Sequence, residues 1–192
     1  MKFDKREAIL KVSQSLFARF GLVKTTVDEI ARLARIGKGT IYHYFSSKED
    51  IFAEVIEKEA NLLRERIKDA IDRERTPQGK LRAFILTRMN CLKELANYYS
   101  ALKDEYLEHY SFIETARKKN FEEEIRTVKT ILQQGIDKAI FSITNPQMAA
   151  LAVVSALKGL EYPWVLDNAM VDVEKSVDTL LKILFEGIER RD

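Results

Sequence analysis

Apolar residues recur at intervals of three and four positions over most of this 192-residue chain. This period matches one face of an α-helix, and no segment shows the strict alternation expected of a half-buried strand. Glycine and proline, which interrupt helices, number only seven and three. The pattern therefore predicts an all-α protein of about nine helices.

Residues that cap or interrupt helices set the predicted boundaries. Thr26 and Glu29 form a capping box at one helix start, and Thr76 and Asn145 each precede a proline, which suits the first turn of a helix. Pro163 is expected to end or kink the helix that contains it. The predicted helices lie at about 5–20, 27–34, 38–44, 48–72, 77–96, 98–110, 113–139, 146–162 and 172–189.

The composition is that of a folded chain, because 46% of its residues are hydrophobic and 32% carry charge of either sign. No apolar run approaches the roughly 18 residues of a membrane span, and the N-terminus lacks a secretory signal, so no membrane contact is expected. The single cysteine, Cys91, cannot form a disulfide within the chain or a metal site of several cysteines. We expect a cytoplasmic protein without a metal or another cofactor.

Charge is distributed unevenly along the chain. Residues 1–48 contain ten Lys and Arg against four Asp and Glu, a net charge of +6, and the whole chain carries +2, so the other 144 residues sum to −4. A basic segment joined to an acidic one is expected where one end of a protein meets a polyanion. For this segment taken alone, ordinary surface charge is the alternative.

The segment TTVDEIARLARIGKGTIYHYF, which begins at Thr25, has the pattern of a helix-turn-helix. Two short helices with a tight turn between them would bury the apolar residues Val27, Ile30, Ala31, Ala34, Ile36, Ile41 and Phe45. The second helix would then expose Lys38, Gly39, Thr40, Tyr42, His43 and Tyr44. Small, polar and cationic residues on an exposed face are typical of a helix that enters the major groove of DNA. Packing in the core is the alternative for the two tyrosines, and a plain surface position is the alternative for the histidine.

Several of these positions suit contact with DNA. Gly39 has no side chain, so a phosphate or base edge can approach its backbone, and tyrosine hydroxyls can bond phosphate oxygens. Thr25 and Thr26 lie at a helix N-terminus, where free N–H groups and the helix dipole favour a phosphate. Lys48, at the start of the fourth helix, supplies another cation.

The run from Phe17 to about Val55 resembles the DNA-binding domain of the tetracycline-repressor (TetR) family. The resemblance rests on a long pattern without gaps, T-x-x-E-I-A-x-x-A, K-G-T-I-Y-H-Y-F and S-K-E-D-I-F. It implies a helix-turn-helix domain at 1–47 and a helical effector-binding domain at 48–192, whose last two helices form a homodimer. The DNA-contact positions that it implies are Thr25, Thr26, Lys38, Gly39, Thr40, Tyr42, His43, Tyr44 and Lys48.

Two positions depart from the family pattern, and we include both among the predicted DNA-binding residues. Arg35 stands in the turn where the family often has glycine, and its side chain is a candidate contact to a phosphate or a guanine. Gly37 stands where the family often has serine or alanine, so the predicted cap of the recognition helix is weaker. Both residues bear on which operator sequence is read.

The last predicted helix carries an apolar stripe, and the helix before it carries small residues at intervals of three and four positions. Small residues on one face allow helices to approach closely, either inside one protomer or between two copies related by a twofold axis. We favour the interface between copies, because helix-turn-helix proteins read two half-sites about 34–36 Å apart as dimers. The predicted interface residues are Ala149, Ala152, Ala156, Gly159, Val177, Leu180, Leu181, Leu184 and Ile188.

Aromatic residues are frequent in the middle of the chain, where we expect a pocket for an apolar or aromatic small-molecule effector. The alternative is that most of these aromatics belong to the core or the surface. The candidate ligand-binding residues are Met89, Leu92, Tyr106, His109 and Trp164, with His109 bonding a polar group of the ligand.

These observations predict a sequence-specific, DNA-binding transcriptional regulator. By the family resemblance it is a homodimeric repressor that a small-molecule effector releases from its operator. An enzyme is not expected, since the chain has no Gly-rich phosphate loop, no G-x-S-x-G motif, no cluster of metal ligands and no Cys–His nucleophile pair. A helical adaptor with this fold but without DNA binding is the remaining alternative.

Overall fold

The structure is a computed structural model that describes residues 4–95, 97–98, 111–166 and 172–186, except for the side chains of residues 92, 93 and 160–166. These residues form eight α-helices and no strand, which confirms the all-α class. In chain order the helices are α1 (Lys5–Lys24), α2 (Val27–Ala34), α3 (Lys38–Tyr44), α4 (Lys48–Asp72), α5 (Pro77–Glu94), α6 (Ser111–Asp137), α7 (Pro146–Leu166) and α8 (Val173–Glu186). The further helix predicted at 98–110 lies outside the described residues except for Tyr98. Within the described part of the chain, no helix is both long and apolar enough to cross a membrane.

The helix starts agree with the predicted caps. The Thr26 hydroxyl accepts a hydrogen bond from the Glu29 N–H, and the Glu29 carboxylate accepts one from the Thr26 N–H. The Thr76 hydroxyl and the Asn145 side-chain carbonyl each accept a bond from the N–H three residues further on. The Ser47 hydroxyl does the same at the start of α4. Each contact satisfies one N–H of a first helical turn, which otherwise has no partner within the helix.

Gly21 and Pro163 interrupt their helices less than glycine and proline usually do. Gly21, just after the helix predicted at 5–20, has φ +76° and ψ 169°, so it breaks the regular helix, although α1 continues to Lys24. Pro163 was expected to end or kink its helix; the end is wrong, because α7 continues through this residue to Leu166, and the kink stays a prediction. Proline removes one backbone hydrogen bond but fixes φ near the helical value, and only three residues of α7 follow it.

The chain divides into two compact units. Unit 1 comprises Met1–Leu62 and Leu95–Arg117, and unit 2 comprises Leu63–Glu94 and Lys118–Asp192. Helices α4 and α6 each contribute residues to both units. The domain boundary predicted between residues 47 and 48 concerns function rather than compactness, and it stays a prediction.

In unit 1, the first three helices pack on one another around an apolar core. Phe17 of α1 meets Phe52 of α4 edge to face, with 5.0 Å between ring centres. Phe20, near the end of α1, is 44% exposed although it is aromatic. The buried side chains include Ile9, Leu16, Phe17, Ile30, Ile41, Phe45 and Phe52.

A buried carboxylate also lies in unit 1. Glu59 of α4 is 2% exposed, and it accepts hydrogen bonds from the side-chain amides of Gln14 and Asn97 at 2.9 and 2.7 Å. The Tyr98 N–H donates a third bond to it at 2.9 Å. A buried charge is costly unless it is hydrogen-bonded, and three donors offset that cost. The sequence pattern did not signal this cluster, because its members come from three separate segments.

In unit 2, α5 packs against α7 and α8. The core includes Leu81, Phe84, Ile85, Val154, Leu157, Val177 and Leu181. Arg88 and Glu124 form an ion pair inside this unit, with 2.7 Å between Nε and Oε1, and both are at most 5% exposed. Removing Arg88 would deprive the buried Glu124 carboxylate of this ion pair, and a buried charge without its partner is costly.

Candidate nucleic-acid interface

Helices α2 and α3 form the predicted helix-turn-helix, and the capping box fixes the start of α2. The Thr26 hydroxyl also donates to the Glu29 carboxylate, with 2.9 Å between the oxygen atoms. Hydrogen bonds from the Thr26 N–H and hydroxyl hold the pKa of Glu29 below its usual value. From this ionised cap α2 proceeds with Ile30 and Ala34 buried, at 0% and 7% exposure.

Arg35 makes the turn between α2 and α3 in a left-handed conformation, with φ 55° and ψ 43°. Its N–H bonds the carbonyls of Ala31 and Arg32, and the Ile36 N–H bonds the Ala31 carbonyl at 3.0 Å. Helices often end in this geometry, and the left-handed residue is then usually glycine. A side chain costs about 1 kcal/mol in this conformation. The strain accompanies an exposed guanidinium group at the corner between the two helices.

Helix α3 has one buried and one exposed face. Ile41 is 0% exposed, and Phe45, directly after the helix, is 5% exposed. Tyr42 and Tyr44 are 50% and 40% exposed, so the alternative that they are core residues is wrong. His43 is also exposed, and it lies edge-on to Tyr44 with 5.4 Å between ring centres. The outer face of α3 therefore offers two phenol hydroxyls and an imidazole to a partner molecule.

The two glycines near the start of α3 differ in their surroundings. Gly37 is the N-cap residue and has no side chain to bond the first turn, as predicted, and its carbonyl accepts from the Thr40 N–H at 2.8 Å. A Cβ atom built on Gly39 would meet no atom within 4 Å. Packing inside the described chain therefore does not require a glycine at position 39. Thr40, the next residue, is partly exposed.

Lys38, the first residue of α3, forms an exposed ion pair with Asp28 of α2, with 2.9 Å between Nζ and the carboxylate oxygen. The hydrogen bond to Asp28 raises the pKa of Lys38. Exposed pairs of this kind contribute little to folding stability. A phosphate that takes the Lys38 ammonium must therefore compete with a carboxylate on the neighbouring helix.

Three predicted contact positions are placed differently from the expectation. The Thr25 side chain is 1% exposed, and both its hydroxyl and its N–H donate to the Gly21 carbonyl, at 2.8 and 3.3 Å. The Thr26 N–H is bonded to the capping carboxylate. The expectation of free N–H groups at the two threonines is thus wrong, because both groups serve local turns. The Lys48 ammonium lies 3.0 Å from the Thr25 carbonyl oxygen and 3.4 Å from that of Val23.

Residues 9–55, which span this helix-turn-helix, match the family model described as bacterial regulatory proteins, tetR family. The chain is 23% identical to the HTH-type transcriptional regulator YhgD of Bacillus subtilis over 98% of both chains. It is 29% identical to the HTH-type transcriptional repressor KstR2 of Mycolicibacterium smegmatis over 143 residues, which are 72% of this chain and 68% of that one. Residues 9–55 therefore belong to the TetR family.

A solved structure shares the fold of this chain. The structure is that of the transcriptional regulator FadR from Bacillus subtilis in complex with stearoyl-CoA, which is 22% identical in sequence. The two superpose with a TM-score of 0.77 over 95% of this chain and 99% of that chain. Membership in a family of regulatory proteins confirms the prediction of a regulator rather than an enzyme.

Unit 2 contains a cavity of about 490 Å³ between α4, α5 and α6. Its apolar lining residues are Leu63, Ile67, Ile71, Phe84 and Ile131. Lys68 of α4 and Arg126 of α6 also line it, and both are exposed. The cavity was not predicted, because its lining is mainly aliphatic whereas the expected pocket was placed among aromatic residues. A sequence signal for it does exist: the apolar residues Leu63, Ile67 and Ile71 recur every four positions along α4.

The predicted ligand-binding residues have different outcomes. Met89 is 3% exposed and does not line the cavity, and its contact with an effector stays a prediction. Its position on α5 turns the side chain into the core, where the sulfur lies 3.8 Å from a nitrogen of Arg88. The side chains of Leu92 and Trp164 lie outside the described part of the structure. Tyr106 and His109 lie outside it entirely.

The predicted dimer-interface residues differ in exposure. Those at least partly exposed are Ala149, Ala152, Ala156, Gly159, Leu180 and Leu184. Val177 and Leu181 are 1% and 5% exposed, so their assignment to a surface between copies is wrong, because the inner face of α8 packs in the core. Ile188 lies outside the described residues. Two apolar side chains that were not predicted, Met148 and Ile183, are 57% and 47% exposed.

Proposed function

We propose that this chain is a homodimeric transcriptional repressor that binds operator DNA with α2 and α3 and is released by a small-molecule effector. The observation that supports DNA binding is that α3 has one apolar, buried face and one polar, exposed face. Ile41 and Phe45 fix one face in the core, and the other face carries hydroxyl, imidazole and ammonium groups. Such groups donate to phosphate oxygens and to base edges in the major groove. A cytoplasmic location, where the protein meets DNA, belongs to the same proposal.

The surface of α7 and α8 supports the homodimer. Exposed small and apolar residues follow one face of α7 at steps of four and three, at Met148, Ala152, Ala156 and Gly159. A Cβ atom built on Gly159 would meet nothing within 4 Å, which leaves room for a second helix to approach. Contiguous apolar side chains on a surface mark a protein contact, and a twofold pair would use the same face on both copies.

The cavity of unit 2 supports an effector with an apolar chain and an anionic group. Its volume of about 490 Å³ lies within the range of small-molecule sites. Aliphatic side chains suit a hydrocarbon chain, and the exposed charges of Lys68 and Arg126 suit a phosphate or carboxylate. The structural relative FadR was solved with stearoyl-CoA, which has both features. We therefore place long-chain acyl-CoA thioesters first among effector classes.

DNA binding is tested by fluorescence anisotropy with duplexes from the regions that flank the gene of this protein, against a random duplex of equal length. Binding to one flanking duplex should be the tighter, and the affinity for both should fall steeply between about 50 and 200 mM salt. Failure to bind any duplex at low salt would leave the adaptor alternative.

A matched pair of threonine variants tests the recognition helix. Thr40→Ala removes a hydroxyl from the exposed side of α3, and it should lower operator affinity about tenfold, with unequal losses for operators changed at single base pairs. Thr144→Ala removes the same groups from an exposed position in unit 2, and it should leave affinity unchanged. Equal affinities of the two variants would contradict the placement of α3 in the groove.

The effector is tested by adding stearoyl-CoA to the operator complex, with coenzyme A alone as the matched control. The thioester should release the DNA, whereas coenzyme A should not, because it lacks the chain that the aliphatic lining accepts. Lys68→Glu should weaken the response to stearoyl-CoA and leave operator affinity in its absence unchanged. If stearoyl-CoA binds the protein but the complex persists, the effector part of the proposal is wrong.

A further inference from the structure

Lys48 occupies a position that its own helix does not favour. It is the first residue of α4, where the positive end of the helix dipole opposes a cation. Its ammonium donates instead to the carbonyl oxygens of Thr25 and Val23, at 3.0 and 3.4 Å. These carbonyls lie at the C-terminal end of α1, where a cation is favourable. The interaction that stabilises this side chain is therefore with α1.

The carbonyls that Lys48 bonds belong to a tightly closed corner. The carbonyl of Gly21, a residue with φ +76°, accepts from both the hydroxyl and the N–H of Thr25. Thr25 is 1% exposed, and the next residue, Thr26, is the N-cap of α2. Lys48 thus holds the peptide from which the helix-turn-helix begins, and α2 carries α3 with it through the turn at Arg35.

We propose that Lys48 is a positioning residue for DNA recognition and not chiefly a counter-charge for phosphate. By joining the first turn of α4 to the Val23–Thr25 corner, it fixes the orientation of α2 and α3 within unit 1. This inference rests on the proposed DNA binding. It replaces the simpler interpretation of Lys48 as one more cation facing the DNA backbone.

The two roles differ in a measurable way. A lysine that neutralises a phosphate releases a counterion, so its loss lowers the slope of log affinity against log salt by about one. A lysine whose ammonium is directed at backbone carbonyls and neutralises no phosphate leaves that slope unchanged when it is lost. Its loss lowers the melting temperature of the free protein and weakens all DNA binding at constant slope.

Lys48→Met and Lys38→Met form the matched pair for this test, because methionine keeps the aliphatic stem and removes the ammonium. Lys48→Met should lower the melting temperature by about 3 °C and operator affinity about tenfold, with the wild-type salt slope. Lys38→Met, at the exposed start of α3, should lower the slope by about one and leave the melting temperature unchanged. The inference is wrong if Lys48→Met lowers the slope as Lys38→Met does and leaves the melting temperature at the wild-type value.

Lys48→Gln keeps the test decisive if Lys48→Met does not fold. Its amide is neutral but still donates hydrogen bonds, so it should recover part of the melting temperature and keep the wild-type salt slope. A slope lowered by one in this variant would overturn the inference. If the wild-type protein binds no DNA at all, the proposed function fails, and the melting temperatures of the variants still show whether Lys48 holds the corner.

Discussion

Helix α3 and helix α8 differ in the chemistry of their outer faces. Both are amphipathic and bury an apolar inner face, with Ile41 at 0% exposure in α3 and Leu181 at 5% in α8. The outer face of α3 is polar and aromatic. The outer face of α8 presents Ile183 and Leu184, which are 47% and 45% exposed. A polar outer face suits a hydrated polyanion, whereas an apolar one is stable only when another apolar surface covers it.

In both helices, the residues that pack inside the protomer differ from the residues that are free to bind a partner molecule. A substitution on an inner face should change folding first and binding as a consequence. On an outer face it should change only the contact with DNA or with the second copy. Variants on the inner and outer faces therefore sharpen the comparison between α3 and α8, and the expected effect decreases from the first variant to the last.

The largest effect is expected from Ile41→Ala in α3. The side chain is fully buried, so its truncation should lower the free energy of unfolding by about 3 kcal/mol and abolish operator binding. Urea unfolding measures the first effect and anisotropy the second. Tyr42→Ala on the opposite face is the control, and it should reduce DNA binding with a stability change of about 0.5 kcal/mol or less. Similar losses of stability in the two variants would break the two-sided description of α3.

In α8 the corresponding pair is Leu181→Ala and Leu184→Asp. Leu181→Ala should lower the free energy of unfolding by about 2–3 kcal/mol, because the leucine packs in the core of unit 2. Leu184→Asp should leave the protomer folded but place a charge in the proposed interface, so sedimentation should show monomers. A dimer that survives this change would show that the two copies do not meet through the outer face of α8.

A smaller effect, of opposite sign, is expected from Arg35→Gly. Glycine adopts the left-handed conformation of residue 35 without strain, so the variant should gain about 1 kcal/mol of stability. It also loses the exposed guanidinium, so its operator affinity should fall, with a salt slope lower by about one if the contact is to a phosphate. A more stable protein with unchanged affinity would remove Arg35 from the DNA contacts.

The smallest change in stability is expected from Gly39→Ala. A methyl group meets no atom of the described chain, and alanine favours helix, so thermal unfolding should show a gain of about 0.5 kcal/mol. If DNA approaches the backbone at residue 39, operator affinity should nevertheless fall about tenfold. An unchanged affinity would show that Gly39 faces solvent in the complex.

The sequence predicted those features that depend on neighbours a few positions away. The caps at Thr26, Thr76 and Asn145 are contacts over three residues, and the inner residues of α3 follow from a four-residue period. Periodicity could not divide the apolar stripe of α8 into inner and outer parts, because both Leu181 and Leu184 fit a helix face. That division depends on where α5 lies.

The parts of the site that were missed or misjudged depend on residues far apart in sequence. Lys48 bonds a carbonyl 23 positions away, and the Glu59 cluster joins residues separated by 45 and 38 positions. The cavity likewise needs α4, α5 and α6 together. Thr25 is a local exception: it was named as a DNA contact because it lies at a helix N-terminus, yet its hydroxyl is satisfied by a carbonyl four residues earlier.

The ion pair between Asp28 and Lys38 bears on how a repressor finds its site within a chromosome. Genomic DNA without the operator sequence can offer Lys38 only a phosphate, and taking it costs the contact with Asp28. At the operator, contacts to bases add to the phosphate and outweigh that loss. If Lys38 contacts DNA as proposed, the loss of the contact with Asp28 costs the same free energy in both complexes and shortens the lifetime of each. Contacts to bases then decide which complex persists.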